Sequence, residues 1–160
     1  MAEQKTNVMR VLDQKKISYI PHEYPHGSEP VDGVTAASLL GIEPEKVYKT
    51  LVARGASKMI FVFIIPVAAE LDLKKAAKAA GEKSVAMIHV SEITALTGYV
   101  RGGCSPIGMK KRYATFLHAA ALELETLLVS AGKIGSQVEL APKALIELTG
   151  AVTADIITQE

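Results

Sequence analysis

Three groups of residues in this chain have types and spacings that could do chemistry. They are a lysine inside an apolar run, a cysteine with four scattered histidines, and two loops rich in glycine and serine. Lys49 lies in "VYKTLV". If that run is a strand, Val47, Lys49 and Leu51 share one face, and Tyr48, Thr50 and Val52 share the other. A lysine partly enclosed among apolar neighbours is either a base of depressed pKa or, where wet, a fixed cation for an anionic or carbonyl ligand. The plain alternative is an edge-strand lysine that reaches out to water and discourages aggregation.

"HEYPH", from His22 to His26, matches the H-E-x-x-H pattern of zinc peptidases. That chemistry needs the two histidines one helical turn apart on one face. Pro25 sits inside the would-be turn and Gly27 follows it, so a strand-to-loop edge with solvated histidines is expected, and no metal site. Cys104 is the only cysteine, and as a nucleophile it would need a nearby base and an oxyanion site. His22, His26, His89 and His118 carry no local signature that ties any of them to it. His89, in "AMIHV", reads as a strand residue packed or hydrogen-bonded in place. Ser105 precedes Pro106 and lacks a G-x-S-x-G elbow. The sequence shows no protein nucleophile with a partner.

The loops have more to offer. In "RGGCSPIG", Gly102 and Gly103 permit positive φ and close approach of a ligand to the backbone. The amides of Gly103, Cys104 and Ser105 could then donate to a carbonyl oxygen or a developing oxyanion, with Pro106 stiffening the exit. "SAGKIGS", from Ser130 to Ser136, lacks P-loop spacing, and a strand, not a helix, is expected after it. It is either a turn with Lys133 in solvent or a second source of backbone donors. Lys110, Lys111 and Arg112, with Lys74, Lys75 and Lys78, could form a surface for phosphates, although such runs are usually solvated charge.

The elements that must position these residues follow from the rest of the chain. Its 160 residues, 49% apolar and 22% charged, suit one compact domain over residues 1–160. A net charge of +1 makes no global demand for nucleic acid, and one cysteine excludes an internal disulfide and fits a reducing compartment. The amphipathic amino end has no signal-peptide segment. The most apolar run, Met59 to Ala69, is too short to span a membrane and contains Pro66. A cytoplasmic protein without membrane association is expected.

Val8, Met9, Val11, Leu12 and Ile17 mark a helix from about Thr6 to Lys16, capped by Thr6 or Asn7. "ISYIPHEY" reads extended, "PHGSEPVDG" as a loop, and "TAASLLG" as a helix capped by Thr35 and stopped by Gly41. "KVYKTLVAR" and "KMIFVFIIP" form a hairpin whose second strand belongs in a sheet interior. "DLKKAAKAAG" is a helix from Asp72 to Gly81, "SVAMIHV" a strand, and "SEITALTG" a helix capped by Ser91. "ETLLVS" and "QVELAP" suggest strands, "ATFLHAAAL" carries no assignment, "PKALIELTG" is a helix with Pro142 in its first turn, and "AVTADII" closes the chain. Strands and helices mix without strict alternation, which gives a mixed-sheet α/β domain.

Four blocks in this order, "VYKTLV", "PVAAELDLKKAAKAAG", "TGYVRGGCSPIGMKKR" and "VSAGKIGSQVELAP", resemble the YbaK/ProX family of aminoacyl-tRNA editing domains. The match is nearest to the free-standing YbaK type, the Cys-tRNA(Pro) deacylases, and spans about Thr6 to Ile156. The resemblance implies mixed β-strands curled into a partial barrel with helices around it. It also implies hydrolysis of the ester that joins a wrong amino acid to the 3′ end of tRNA(Pro). Carried over residue by residue, it makes Lys49 the essential lysine, followed by Thr50. Gly102, Gly103, Ser105 and Pro106 become the carbonyl-binding loop, with Gly103 and Ser105 counted as catalytic. Ser130 opens the second loop, which contains Gly132, and Tyr24 is the cleft tyrosine.

Two positions depart from the pattern: Gln137 stands where such proteins often carry Asp, and Cys104 where an aliphatic residue is common. The family's route uses no protein nucleophile; the substrate cysteine's thiol attacks its own carbonyl, a tethered reaction of high effective molarity. Mischarged tRNA and prolyl-tRNA synthetase are the implied partners, and no cofactor is implied. An alanyl ester would need a bound water instead. A non-catalytic tRNA-end or nucleotide-binding module, favoured by Gln137, and a Cys104-dependent hydrolase are the alternatives.

Overall fold

A computed structural model describes residues 5–27, 29 and 31–158. Met1 to Gln4 of the amphipathic amino end, Ser28 and Pro30 of the loop expected after the first strand, and the last two residues lie outside the described residues. The first helix, α1 (Asn7–Gln14), is capped by Thr6, whose hydroxyl accepts from the Met9 amide at 3.2 Å. Its stripe of Val8, Met9 and Leu12 is buried. β1 (Ile20–Glu23) is followed by α2 (Gly33–Leu40). α2 begins two residues before the expected Thr35 cap. Asp32 takes that role, accepting both the Thr35 amide (2.9 Å) and the Thr35 hydroxyl (2.8 Å), and a carboxylate can hold two donors at once.

β2 (Tyr48–Gly55) and β3 (Ile60–Pro66) form the expected hairpin. Then come α3 (Leu73–Ala80), capped by Asp72 and stopped by Gly81 at φ 72°, and β4 (Val85–Met87). β4 is shorter than "SVAMIHV" suggests, because β2 pairs with it only from Gly55↔Val85 to Ala53↔Met87. His89 therefore falls outside the strand and is exposed. It opens a 3-10 turn, Val90–Glu92, that leads into α4 (Ile93–Thr97); Glu92 reaches back to the His89 amide at 3.0 Å and closes that turn, so Ser91 caps nothing.

The chain continues through β5 (Ala114–His118), β6 (Leu127–Ser130), β7 (Ser136–Leu140), α5 (Pro142–Thr149) and β8 (Val152–Ala154). β5 comes from the segment without a sequence assignment. It lies parallel to β3 and to β8, and its pattern of four consecutive buried residues is that of a strand covered on both faces.

A five-stranded mixed sheet has the order β4-β2-β3-β5-β8, and a three-stranded antiparallel sheet the order β1-β7-β6. The isolated parallel bridge Val47↔Leu128 joins them and curls the whole into a partial barrel. One core fills the space between the sheets: Tyr48, Val62, Ile64 and Leu117 from one, Leu127, Val129 and Val138 from the other, closed by α1 and Leu145 of α5. A second core on the outer face packs Phe61, Phe63, Ile65 and Phe116 against Ala76 and Ala77 of α3. Phe63 and Phe116 stack at 5.4 Å. β3 is thus covered on both faces, as its uniformly apolar sequence requires.

Candidate active site

β2 is paired along one side by β3 over its length but on the other only by β4, from Ala53 onward. Before β2 begins, Val47 bridges to β6. The residues between border a cleft of about 400 Å³, an ordinary size for a small-ligand site. β2 and β6 run in the same direction past the Val47↔Leu128 bridge, so Lys49 and Ser130, each two residues further on, meet at the cleft. Gln137 joins them because it is the cross-strand partner of Ser130, and of His22 on its other side. Tyr24, just past β1, is fixed by donation from its amide to the Gly135 carbonyl at 2.9 Å. It is 5% exposed and also lines the cleft.

Six of the ten sequence-expected residues line this cleft: Tyr24, Lys49, Thr50, Gly102, Ser130 and Gln137. Gly103, Ser105, Pro106 and Gly132 do not; they build the loops behind it. A Cβ on Gly103 would lie 2.9 Å from the Lys133 Cα, so the two glycine loops interlock there. The Gly103 N–H is not free for a ligand, because it donates to the Val100 carbonyl at 3.0 Å. Ser105 is fully buried, and its hydroxyl accepts from the Ile107 amide at 3.2 Å. Pro106 is buried and borders a separate hollow with Tyr113 and Thr149. Gly132, at φ 100°, packs against Tyr99 and donates its N–H to the Ser130 hydroxyl at 3.1 Å. Among the described residues neither the Gly102 amide nor the Cys104 amide has a hydrogen-bond partner, and both residues line the cleft, so these are the loop donors left there.

Two buried side-chain atoms on the lining, the Thr50 hydroxyl and the Gln137 carbonyl oxygen, make no hydrogen bond among the described residues. An unmet buried polar atom costs free energy, and a ligand that pairs with it recovers that cost. Lys49 is half-buried. Burial pushes its pKa below 10.5, opposed by the nearby charge of Glu70.

Burial also drives the Cys104 thiol up to about 11, partly offset by its contact with Thr97. Cys104 therefore lines the cleft as a neutral thiol, and among the described residues the lining holds no histidine or carboxylate to act as the base that a nucleophile needs. The cleft also has members that the sequence reading passed over: Tyr48, Val52, Met87, Val90, Ile93 and Arg101. Arg101 had a visible signal, a cation directly before the glycine pair.

The remaining motifs resolve as structure. His22 lies in strand β1, away from helical spacing with His26. It is not solvated as expected: its Nε2 sits 2.8 Å from Glu139, and its side chain is 23% exposed. "SAGKIGS" is followed by β7 and leaves Lys133 exposed. In the basic set, Lys75 bonds Asp155 and the Ile157 carbonyl, while Lys111 and Arg112 border a hollow beside α5.

A curled mixed sheet with two glycine loops beside a lysine-bearing cleft is the arrangement that the resemblance to the editing domains implies. Residues 28–148 match the family model described as the aminoacyl-tRNA editing domain, and the chain belongs to that family. It is 46% identical over 158 residues to EbsC of Enterococcus faecalis, provisionally named a Cys-tRNA(Pro)/Cys-tRNA(Cys) deacylase; the match covers 99% of this chain and 96% of that one. It is 27% identical over 114 residues to YwhH of Bacillus subtilis, covering 71% and 72% of the two chains. A solved structure described provisionally as a trans-editing enzyme for prolyl tRNA synthetase shares the fold, with a TM-score of 0.82 at 24% identity over 98% of this chain and all of that one. Among the described residues no helix is long and apolar enough to cross a membrane.

Two predictions follow from this geometry. Gly103→Ala drives a methyl into the second loop's backbone, and overpacking of this kind costs about 1–3 kcal/mol, read as a lower denaturation midpoint. An unchanged midpoint would show that the loops separate freely. Burial holds the Cys104 thiol at a pKa of about 11, well above that of an exposed cysteine. Its alkylation by iodoacetamide at neutral pH is therefore expected to run about a hundredfold slower than that of a free thiol, and to rise with pH.

Proposed function

We propose that this chain is a trans-editing deacylase that clears mischarged tRNA(Pro), with Cys-tRNA(Pro) as its principal substrate. The observation that carries the reading is a cleft lined by a desolvated lysine, unmet polar side chains and loop amides without partners, with no nucleophile paired to a base among the described residues. Such a site suits a substrate that brings its own nucleophile. In a cysteinyl ester the thiol attacks the carbonyl carbon, a C–S bond forms, and the carbonyl oxygen takes up negative charge. The ester C–O bond then breaks, the ribose oxygen leaves with the proton given up by the thiol, and water opens the resulting thiolactone. The protein has to hold the ester in the attacking conformer and stabilise the oxyanion.

In this reading Lys49 anchors the adenosine end and orients the ester, and the Cys104 amide beside Gly102 receives the carbonyl oxygen. Thr50 and Gln137 hydrogen-bond the ligand, while Ser130 and Tyr24 bound its pocket. Gly103, Ser105, Pro106 and Gly132 hold the two loops in place. Gln137 keeps the acceptor of the more usual Asp without its charge, which suits hydrogen bonding and not general-base work. The cleft takes only the end of the tRNA, and a chain of net charge +1 has little field with which to choose among tRNAs. Prolyl-tRNA synthetase, in the cytoplasm, supplies that choice as a partner. Membership of the editing family and the likeness to EbsC support the reading.

The test is deacylation of Cys-tRNA(Pro), Ala-tRNA(Pro) and Pro-tRNA(Pro) by the purified chain. Turnover is expected on the cysteinyl ester above the alanyl, and least on the prolyl. Binding without turnover of any ester would replace the enzyme by a binding module, and faster alanyl cleavage would point to an attacking water. Lys49→Ala is expected to lower kcat/KM by about a hundredfold, comparable to loss of one oxyanion donor. Because burial lowers the Lys49 pKa, its charge is present at neutral pH and lost as pH rises, earlier than for an ordinary lysine at 10.5. The catalysed rate, corrected for spontaneous hydrolysis, should therefore fall on an alkaline limb below pH 10.5, and that limb should vanish in Lys49→Ala.

A further inference from the structure

The cleft has an uneven charge. Its lining includes two cations, Lys49 and Arg101, and among the described residues no carboxylate. Lys49 sits inside, half-enclosed, with Glu70 close enough to support its charge. Arg101 is exposed at the rim, and no carboxylate among the described residues pairs with it.

Its position is fixed from both sides. The Gly103 amide bonds the Val100 carbonyl, and Gly102 has φ 84°, so Val100 to Gly103 form a tight turn of type II with Arg101 at its first corner. Gly103 is then locked against the second loop. Arg101 therefore stands on a braced backbone in a cleft whose lining also includes the apolar side chains of Met87, Val90 and Ile93.

A mouth with one unpaired guanidinium and an apolar wall suits an anion attached to an apolar body. On the proposed reading of this site, the ligand that matches is the terminal nucleotide of the tRNA. Its ester oxygen lies on one side of the ribose, toward Lys49, and its 5′ phosphate on the other, toward the rim.

We infer that Arg101 grips the phosphate on the 5′ side of the terminal adenosine, as a substrate-binding residue that sets how far the aminoacyl ester enters the cleft. A planar guanidinium meets a phosphate through two parallel hydrogen bonds, which fixes orientation as well as affinity. This inference rests on the deacylase reading, and the two are separable by experiment.

The experiment compares the wild type with Arg101→Gln and Arg101→Lys on three esters: Cys-tRNA(Pro), the 3′-cysteinyl ester of adenosine 5′-monophosphate, and the 3′-cysteinyl ester of adenosine. A hydrogen bond to a charged group is strong enough that Arg101→Gln should raise KM about tenfold or more on the two phosphorylated esters. It should leave the adenosine ester unchanged, and Arg101→Lys should fall between. Equal losses on all three esters, or no loss on any, would overturn the inference.

A binding titration of adenosine 5′-monophosphate against adenosine reads the same contact without turnover. The wild type should prefer the phosphorylated nucleoside, and Arg101→Gln should lose that preference. The salt dependence of wild-type binding to a single-stranded CCA end should be steeper by about 0.7 in logarithmic slope, the share of one phosphate. Absent ester cleavage with an intact phosphate preference sinks the deacylase reading alone; absent preference in the wild type sinks the role of Arg101.

Discussion

The site depends on the divided pairing of one strand. β2 gives its whole length to β3 on one side, but on the other it pairs with β4 only at its end and meets β6 only at the Val47↔Leu128 bridge before its start. A fully paired strand would leave no gap for a ligand, and an unpaired one would be a sticky edge. The divided edge makes both the curl of the barrel and the opening of the cleft. It also brings residues from both faces of β2 to one opening: Thr50 from the inner core's side and Lys49 from the outer core's.

The chemistry of the opening is set by what burial does to each group. Desolvation lowers the Lys49 pKa and raises that of Cys104, so the lysine is a modulated cation and the cysteine an inert thiol. The Thr50 hydroxyl and the Gln137 oxygen are buried without partners among the described residues, an arrangement that costs stability in the free protein and rewards a bound ligand. The glycine loops serve mainly as backbone. One turn is closed through Gly103, the other lies against it at Lys133, and Ser105 and Ser130 spend their hydroxyls on neighbouring amides. Rigid loops of this kind suit catalysis by positioning, where a displacement of one ångström is costly.

Much of this was legible before the fold was known. Asp72 and Gly81 delimit α3 through local hydrogen bonds and a left-handed cap, and these are properties of the sequence around them. The uniformly apolar "IFVFIIP" announced a strand covered on both faces. Local rules failed where a long-range partner decided. β5 was missed because its alanine-rich neighbours mask a strand held by β3 and β8. β4 ended early because its partner did, and Asp32 displaced Thr35 because one carboxylate could take two donors from it.

The sequence by itself determined the inventory of this protein. It supplied a lysine in a strand, two glycine loops, one cysteine without an attendant base, and the ordered blocks of the editing family, because residue types and short-range propensities are carried locally. The tertiary structure alone decided the assembly. Ser130 and Gln137 face each other through strand register, Lys49 joins them through a single bridge, and Gly103 gives its amide to a turn while Cys104 keeps its own. The physical reason is that a cleft is a gap between chain segments far apart in sequence. Its shape, its dielectric and its unmet hydrogen bonds exist only once those segments have packed.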